Sequence, residues 1–337
     1  MRRALLGLLI CPHCGGAPLT ADGEGERIEI GSLVCPQGHA LPIRRGVLDA
    51  LPALTPTISE QRAVGARERL GLLSSEEAES YRRHISQIGS ATYNELIRDN
   101  ARAALETLPI RRGRSLDLGG GSGWLAAELA ERGFSAVSLD IEDPFERSAQ
   151  IERGAQARTY ELVTDVPSDG GTDAVDFVVG DFGHLPFADA TFDVVTTSAA
   201  LHHSEDPVRT LRQASRVLKA GGYLLSLNEQ TRGIFRDETP VMAGHDEGAG
   251  ERIYWAGEYL GFFRQAGLRP QLSFPGWIDR KLRDQDWKGV VYYPRLRPIT
   301  GWLWRVPGVR PLVRGPLLRP ALDIFGLTTI ITARKPG

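Results

Sequence analysis

Long apolar runs are missing from this chain. None approaches the roughly 20 residues needed to span a bilayer, which excludes a helical membrane span. Excess charge of either sign is missing too. Lys and Arg number 40 against 42 Asp and Glu, a formal charge of −2, so overall charge gives no reason to expect nucleic acid as a partner. Cysteine is scarce, with three in 337 residues, all within the first 35. The stretch Met1–Ile10 has the look of a short signal peptide. It runs into the cysteine-containing segment without a cleavage site, so the expected location is cytoplasmic. What remains is ordinary for a globular protein: 42% hydrophobic and 24% charged residues. That length can bury one large core and a small additional module.

Glycine is abundant, and one cluster of it carries chemistry. Ser115-Leu-Asp-Leu-Gly-Gly-Gly-Ser-Gly123 starts as a short buried strand ending near Asp117. Four glycines follow within six residues, and Trp124–Arg132 then has helical periodicity. Side chains in that turn would keep the backbone away from a nucleotide-sized ligand. The next apolar run, Ala136-Val-Ser-Leu-Asp140, ends in an acid 23 residues beyond Asp117, placed to accept hydrogen bonds from ribose hydroxyls. The spacing D-x-G-x-G-x-G differs from the GxGxxG of dinucleotide binders and lacks the Gly-Lys-Ser/Thr ending of a P-loop. It resembles the first motif of class I S-adenosylmethionine (SAM) methyltransferases.

The cysteines form a second pattern. Cys11-Pro-His-Cys14 and Cys35-Pro-Gln-Gly-His39 have C-x2-C and C-x3-H spacing, with 20 residues between the pairs. Two such turns suit one tetrahedral Zn²⁺ held by Cys11, Cys14, Cys35 and His39, and a four-ligand site is closed and structural. Short strands are expected at Arg27–Ile30 and Ser32–Val34. The alternative is three reduced, unliganded cysteines. Residues 5–50, including Leu8-Leu-Ile-Cys-Pro and Ala40-Leu-Pro-Ile-Arg-Arg-Gly-Val-Leu48, resemble the Trm112-like zinc-binding domain, with His39 standing where many members have Cys. A similar ribbon precedes the methyltransferase domain of bacterial 23S rRNA guanine-N1 methyltransferases.

Residues 51–60 read as a linker and Ser59–Leu73, Ser75–Ile88 and Thr92–Leu108 as helices that close the cofactor side. Beyond Asp140 strands and helices alternate: strands at Ala174–Val179, Phe192–Thr197, Tyr223–Leu227, Leu268–Phe274 and Leu327–Ala333, helices at Glu205–Leu218 and Glu258–Ala266, and a turn at Lys219–Gly222. The fold class is α/β, a doubly wound, mostly parallel, seven-stranded Rossmann-like sheet with a small N-terminal zinc ribbon. The boundaries are 1–50 for the ribbon, 51–108 for linker and helices, and 109–337 for the catalytic domain. Residues 110–275, including Leu201-His-His, Asp206-Pro and Arg216-Val-Leu-Lys-Ala-Gly-Gly222, resemble the ubiquinone/menaquinone-type methyltransferase domain.

That resemblance implies a SAM site at the carboxyl ends of the strands. Gly119 and Gly121 would face the methionine part, Asp140 the ribose, and Asp181 the adenine amino group, with Phe182 against the ring. Asp117 would order the glycine turn or the methionine amino group. The fourth strand delivers Ser198–His203 to the pocket edge, where His202 or His203 is a candidate base. The plainer readings are a turn cap for Asp181 and a packing role for the histidine pair. His245, Asp246, Glu247 and Glu251 lie in a Gly-rich loop that either covers the acceptor or is merely solvated.

Residues 276–326 form a basic, aromatic insertion. Between Arg280 and Arg319 there are ten Lys/Arg against two acids, and Trp277, Trp287, Trp302 and Trp304 lie here with Tyr292 and Tyr293. Three readings stay open: contact with an anionic membrane or lipid phosphate, contact with RNA, or a lid over the substrate. The expected function is SAM-dependent methylation of an O, N or C atom of a small molecule, such as a natural product, glycan or lipid-linked substrate. An rRNA base methyltransferase and a non-catalytic SAM- or partner-binding protein are the alternatives.

Overall fold

A computed structural model describes residues 1–22, 25–53, 55–70, 72, 90–156, 174–234, 252–274, 276, 297–326 and 328–337. The expected helix Ser75–Ile88, the loop residues His245 to Glu251, and Trp277, Trp287, Tyr292 and Tyr293 lie outside them.

A 3₁₀ turn, Arg3–Leu8, leads into four short strands: β1 (Thr20–Ala21), β2 (Ile30–Val34), β3 (Ala40–Arg44) and β4 (Val47–Asp49). Helices α1 (Pro56–Arg69) and α2 (Ser90–Thr107) precede an alternating series. It runs β5 (Gly113–Leu118), α3 (Trp124–Glu131), β6 (Phe134–Asp140), α4 (Pro144–Gln156), β7 (Val175–Val179), β8 (Phe192–Ser198), α5 (Pro207–Val217) and β9 (Leu218–Gln230). After it come α6 (Ala256–Gln265), β10 (Arg269–Ser273), the short helices α7 (Arg297–Arg305), α8 (Val309–Arg314) and α9 (Leu318–Phe325), and β11 (Thr328–Arg334).

All eleven strands among the described residues belong to one sheet, in the order β1-β2-β3-β4-β7-β6-β5-β8-β9-β11-β10. Its last seven positions are the expected seven-stranded sheet. Strands β7, β6, β5, β8 and β9 are parallel, and β11 lies antiparallel between β9 and β10. Strand β7 is buried at every position, as a strand covered on both faces must be. Chain order reverses direction between β5 and β8, which opens a crevice at their carboxyl ends.

The ribbon does not stand apart from this sheet. Strand β4 pairs in parallel with β7, with Val47 opposite Phe177 and Asp49 opposite Val179. The pairing continues as Ala50 N–H donates to the Val179 carbonyl (2.8 Å), and the Arg2 guanidinium meets the Asp176 carboxylate (2.9 Å). Leu5, Leu33 and Leu48 of the ribbon share a single apolar cluster with Leu116, Leu139 and Phe192 of the main sheet.

Several boundaries differ from the sequence reading for local reasons. Helix α1 begins at Pro56, inside the stretch read as linker. Thr55 Oγ1 accepts the Ile58 N–H (3.1 Å), and a proline suits the first helical position. Strand β9 takes in Lys219–Gly222, read as a turn. Its register against β8 shifts between Phe192 and Val194, and Gly221 adopts φ 78°, so the glycines form a bulge within a strand. In the ribbon Arg27 makes only an isolated bridge to Arg2, leaving one strand, β2, where two were expected. Among the described residues no helix is long and apolar enough to cross a membrane.

Candidate active site

The glycine turn links β5 to α3 at the crevice. Gly119, Gly121 and Gly123 have φ of 68°, 56° and 86°, a region that side chains disfavour. A Cβ on Gly119 would lie 2.5 Å from the Ala200 Cβ and 2.9 Å from the Phe182 ring. The turn is therefore packed against the β7 and β8 loops, with the Phe182 ring beside Gly119. The Gly119 N–H is bound to the Leu139 carbonyl (2.8 Å) and the Gly121 N–H to Asp140 Oδ2 (2.9 Å). These glycines thus offer a ligand their Cα surface and carbonyls, not their amides.

Asp140 ends β6, and its other oxygen accepts the Glu142 N–H (3.0 Å). Asp117 is buried beneath the turn, where Thr196 Oγ1 donates to it (2.7 Å). Burial pushes its carboxyl up to about 7; the Thr196 hydrogen bond opposes this and the charge on Asp140 adds to it. Helix α1 lies across the same end. Arg69 pairs with Glu142 (2.7 Å) and donates to Gln150 (2.8 Å), and Arg62 Nε donates to the Ile141 carbonyl (2.6 Å). Asp181 caps its own turn through the Gly183 N–H (2.9 Å), and its second oxygen meets His184 Nδ1 (3.1 Å). This is the cap role; a contact to adenine would use the remaining lone pairs.

On the β8 side, Ser198 Oγ accepts from Asn228 Nδ2 (2.9 Å), and Asn228 Oδ1 accepts from Asn100 of α2 (2.7 Å). Ala199 takes φ 48° and turns the chain into the 3₁₀ segment Leu201–His203. The residue that holds this turn is Glu229, which sequence reasoning missed. It is fully buried on β9. One carboxylate oxygen accepts the N–H groups of Ala200 (3.1 Å) and Leu201 (2.9 Å), and the other lies 2.8 Å from His202 Nδ1. A carboxylate at Nδ1 keeps the proton there and puts the basic lone pair on Nε2. The His203 ring stacks obliquely on His202, centroids 4.3 Å apart, and its carbonyl accepts from Gln61 of α1 (3.0 Å). His202 is thus oriented by a buried acid.

Over residues 116–226 the chain matches the family model described as a methyltransferase domain. It is 34% identical to a demethylmenaquinone methyltransferase of Beutenbergia cavernae over 221 residues, covering 59% of this chain and 75% of that one. The chain belongs to the class I SAM-dependent methyltransferases. It is also 34% identical over 189 residues to a 27-O-demethylrifamycin SV methyltransferase of Amycolatopsis mediterranei, covering 50% of this chain and 62% of the relative. Among solved structures, the fold is similar to Haemonchus contortus phosphoethanolamine N-methyltransferase 2 (17% identity, 71% of this chain, 53% of that one, TM-score 0.43). A complex of the Haloferax volcanii Trm112 methyltransferase activator with a methyltransferase is similar over 85% of this chain and 100% of that one (20% identity, TM-score 0.45).

Away from the crevice, this methyltransferase carries Cys11, Cys14, Cys35 and His39 with their ligand atoms all within 4.8 Å of one another. The Cys14 and Cys35 sulfurs are 3.7 Å apart, and His39 Nδ1 is 3.4 Å from Cys35 Sγ and 3.7 Å from Cys11 Sγ. Ligands bound at about 2.3 Å at the corners of a tetrahedron stand about 3.8 Å apart, so the cluster fits Zn²⁺. Burial raises the Cys35 thiol, but amide groups of His39 and Gln37, the His39 ring and Cys14 outweigh it and bring it down to about 6, favouring the thiolate that a metal needs. His13 stacks on His39 (5.1 Å) and stays outside the ligand set.

Proposed function

We propose that this enzyme methylates a small organic acceptor at an O, N or acidified C atom, with His202 as the base and Glu229 as the residue that orients it. SAM supplies an activated sulfonium methyl; the protein's tasks are to hold the acceptor in line, exclude water and take a proton. The observation that carries the reading is the Glu229–His202 pair, set at the same sheet edge as the glycine turn. The names of the two relatives, one for a rifamycin precursor and one for a quinone precursor, support a small acceptor. On this reading Gly119 and Gly121 line the methionine end, with Asp117 beneath. Asp140 takes the ribose, Phe182 and Asp181 take the adenine, and Ser198 lies beside the transferring methyl. The Cys3His cluster holds a structural zinc in residues 1–50, and 109–337 form the catalytic unit.

The test is to incubate the protein with methyl-labelled SAM and a host extract and to separate RNA, protein, lipid and small-molecule fractions. Label in the lipid or small-molecule fraction supports the reading. With that acceptor, His202→Ala should lower the rate by about 10²–10⁴ while SAM binding is retained. Label in rRNA, or an unchanged rate in the variant, overturns the acceptor class or the base respectively.

A further inference from the structure

The insertion that the active site does not absorb ends in helices α7, α8 and α9, which pack on one another in sequence. From Arg297 to Phe325 the chain carries five arginines (297, 305, 310, 314 and 319) and one acid, Asp323, which pairs with Arg319 (3.7 Å). Its two described tryptophans part company. Trp304 is buried and stacks on Phe274 (5.5 Å), whereas Trp302 is 67% exposed. Leu303, Leu312 and Leu317 are 38%, 48% and 46% exposed. A lid folded onto its own protein would bury these side chains.

The attachment points locate the helices. Phe274 follows the end of β10, which runs parallel to β9, and the Ile234 N–H, beyond the end of β9, donates to the Asp323 carbonyl of α9 (3.0 Å). Both lie at the carboxyl edge of the sheet, the edge that holds the glycine turn and His202. Ile234 is itself 67% exposed.

We propose that α7–α9 are a docking surface for an anionic membrane. Short helices exposing tryptophan and leucine, with five arginines against one acid, match an acyl–headgroup boundary in which apolar side chains enter and guanidinium groups meet lipid phosphates. Leucines offer nothing to RNA phosphates or bases, which recruit aromatic and basic side chains. A second copy would bring arginines against arginines across a two-fold contact. Docking in this way turns the acceptor edge toward the lipid. The surface is independent of the proposed reaction, and its test involves no methyl transfer.

The full chain is floated with vesicles of phosphatidylcholine, alone or with about 30% phosphatidylglycerol. Binding to the anionic vesicles should exceed binding to the neutral ones by at least about tenfold and weaken as salt rises. Trp302→Ser/Leu303→Ser and Arg305→Glu/Arg314→Glu should each reduce it by about tenfold or more, with melting temperature and SAM affinity unchanged. Absence of flotation, equal binding to neutral vesicles, or insensitivity to salt overturns the proposal even where a variant fails to fold. Two further outcomes also overturn it. A dimer that Trp302→Ser disperses, without vesicle binding, assigns the face to a second copy; selective capture of an RNA oligonucleotide assigns it to nucleic acid.

Discussion

Glu229 does two things with one carboxylate: it closes the turn after β8 and fixes the tautomer of His202. Glu229→Gln keeps an acceptor for the two backbone amides but changes the group facing Nδ1. Activity should fall by about tenfold or more and its pH profile should shift, with the melting temperature moving little. Glu229→Ala leaves two buried N–H groups unpaired and should cost several kcal/mol, about 1–3 for each. An unchanged pH profile in Glu229→Gln would remove Glu229 from the proton path.

Asp117 gives a stability signature. The carboxyl ionises near 3.8 when unfolded and at about 7 when folded. Below about pH 4 both states hold the proton. Between there and 7 the unfolded chain ionises first, so stability falls; above 7 the penalty is complete, at a few kcal/mol. Asp117→Asn does not titrate, so it should gain on the native protein between pH 5 and pH 8 in thermal melts. A constant gap would show that Asp117 ionises normally in the fold.

Why Glu229 escaped the sequence while Asp140 did not is a matter of strand ends. Asp140 closes a clean apolar run. The apolar run of β9 stops at Leu227, and the polar Asn228-Glu229-Gln230 that follows has the composition of a loop although the strand continues through it. Extended to Gln230, it presents Glu229 near a carboxyl end, the same signal that marked Asp140. The three glycines, the acid that ends β6 and the cysteine spacing are legible because each is forced by local geometry. The pairing of His202 with Glu229, 27 residues apart, depends on tertiary contact alone.

Helix α1 shows how an element can serve two sites at once. Arg69 and Arg62 tie it to the loop after β6, and Gln61 ties it to the His203 carbonyl. Arg69 and Glu142 are largely buried, and removing Arg69 leaves Glu142 with Arg147 (2.8 Å) as its remaining ion-pair partner and Gln150 without its donor. Arg69→Ala should lower stability by about 1–3 kcal/mol in denaturant unfolding, and calorimetry should find weaker SAM binding. Loss of stability without loss of SAM affinity would separate α1 from the cofactor side. The first residue of α1 lies three residues before the expected Ser59, because Thr55-Pro56, which reads as loop composition, is here a helix start.

The whole molecule is bound together by the β4–β7 pairing and the apolar cluster that runs from the ribbon into the main sheet. If zinc holds the ribbon, its removal should be felt throughout. Metal analysis should find about one zinc per chain. Chelation, or Cys35→Ser, should lower a single cooperative melting transition instead of splitting off a small early one. Two separate transitions would mean that ribbon and catalytic unit fold independently. The sequence located the ribbon and the main sheet but not their union, because strand pairing between distant segments leaves no periodicity to read.

That union has a consequence for the chain's behaviour in company. Strand β7, Val-Asp-Phe-Val-Val, would be an open edge of the parallel sheet if β4 did not cover it. Its unpaired amides and carbonyls, flanked by apolar side chains, would invite the same strand of another molecule. The ribbon therefore serves as a built-in guard against self-association, and the outermost edge it leaves is β1, two residues long and too short to template another strand.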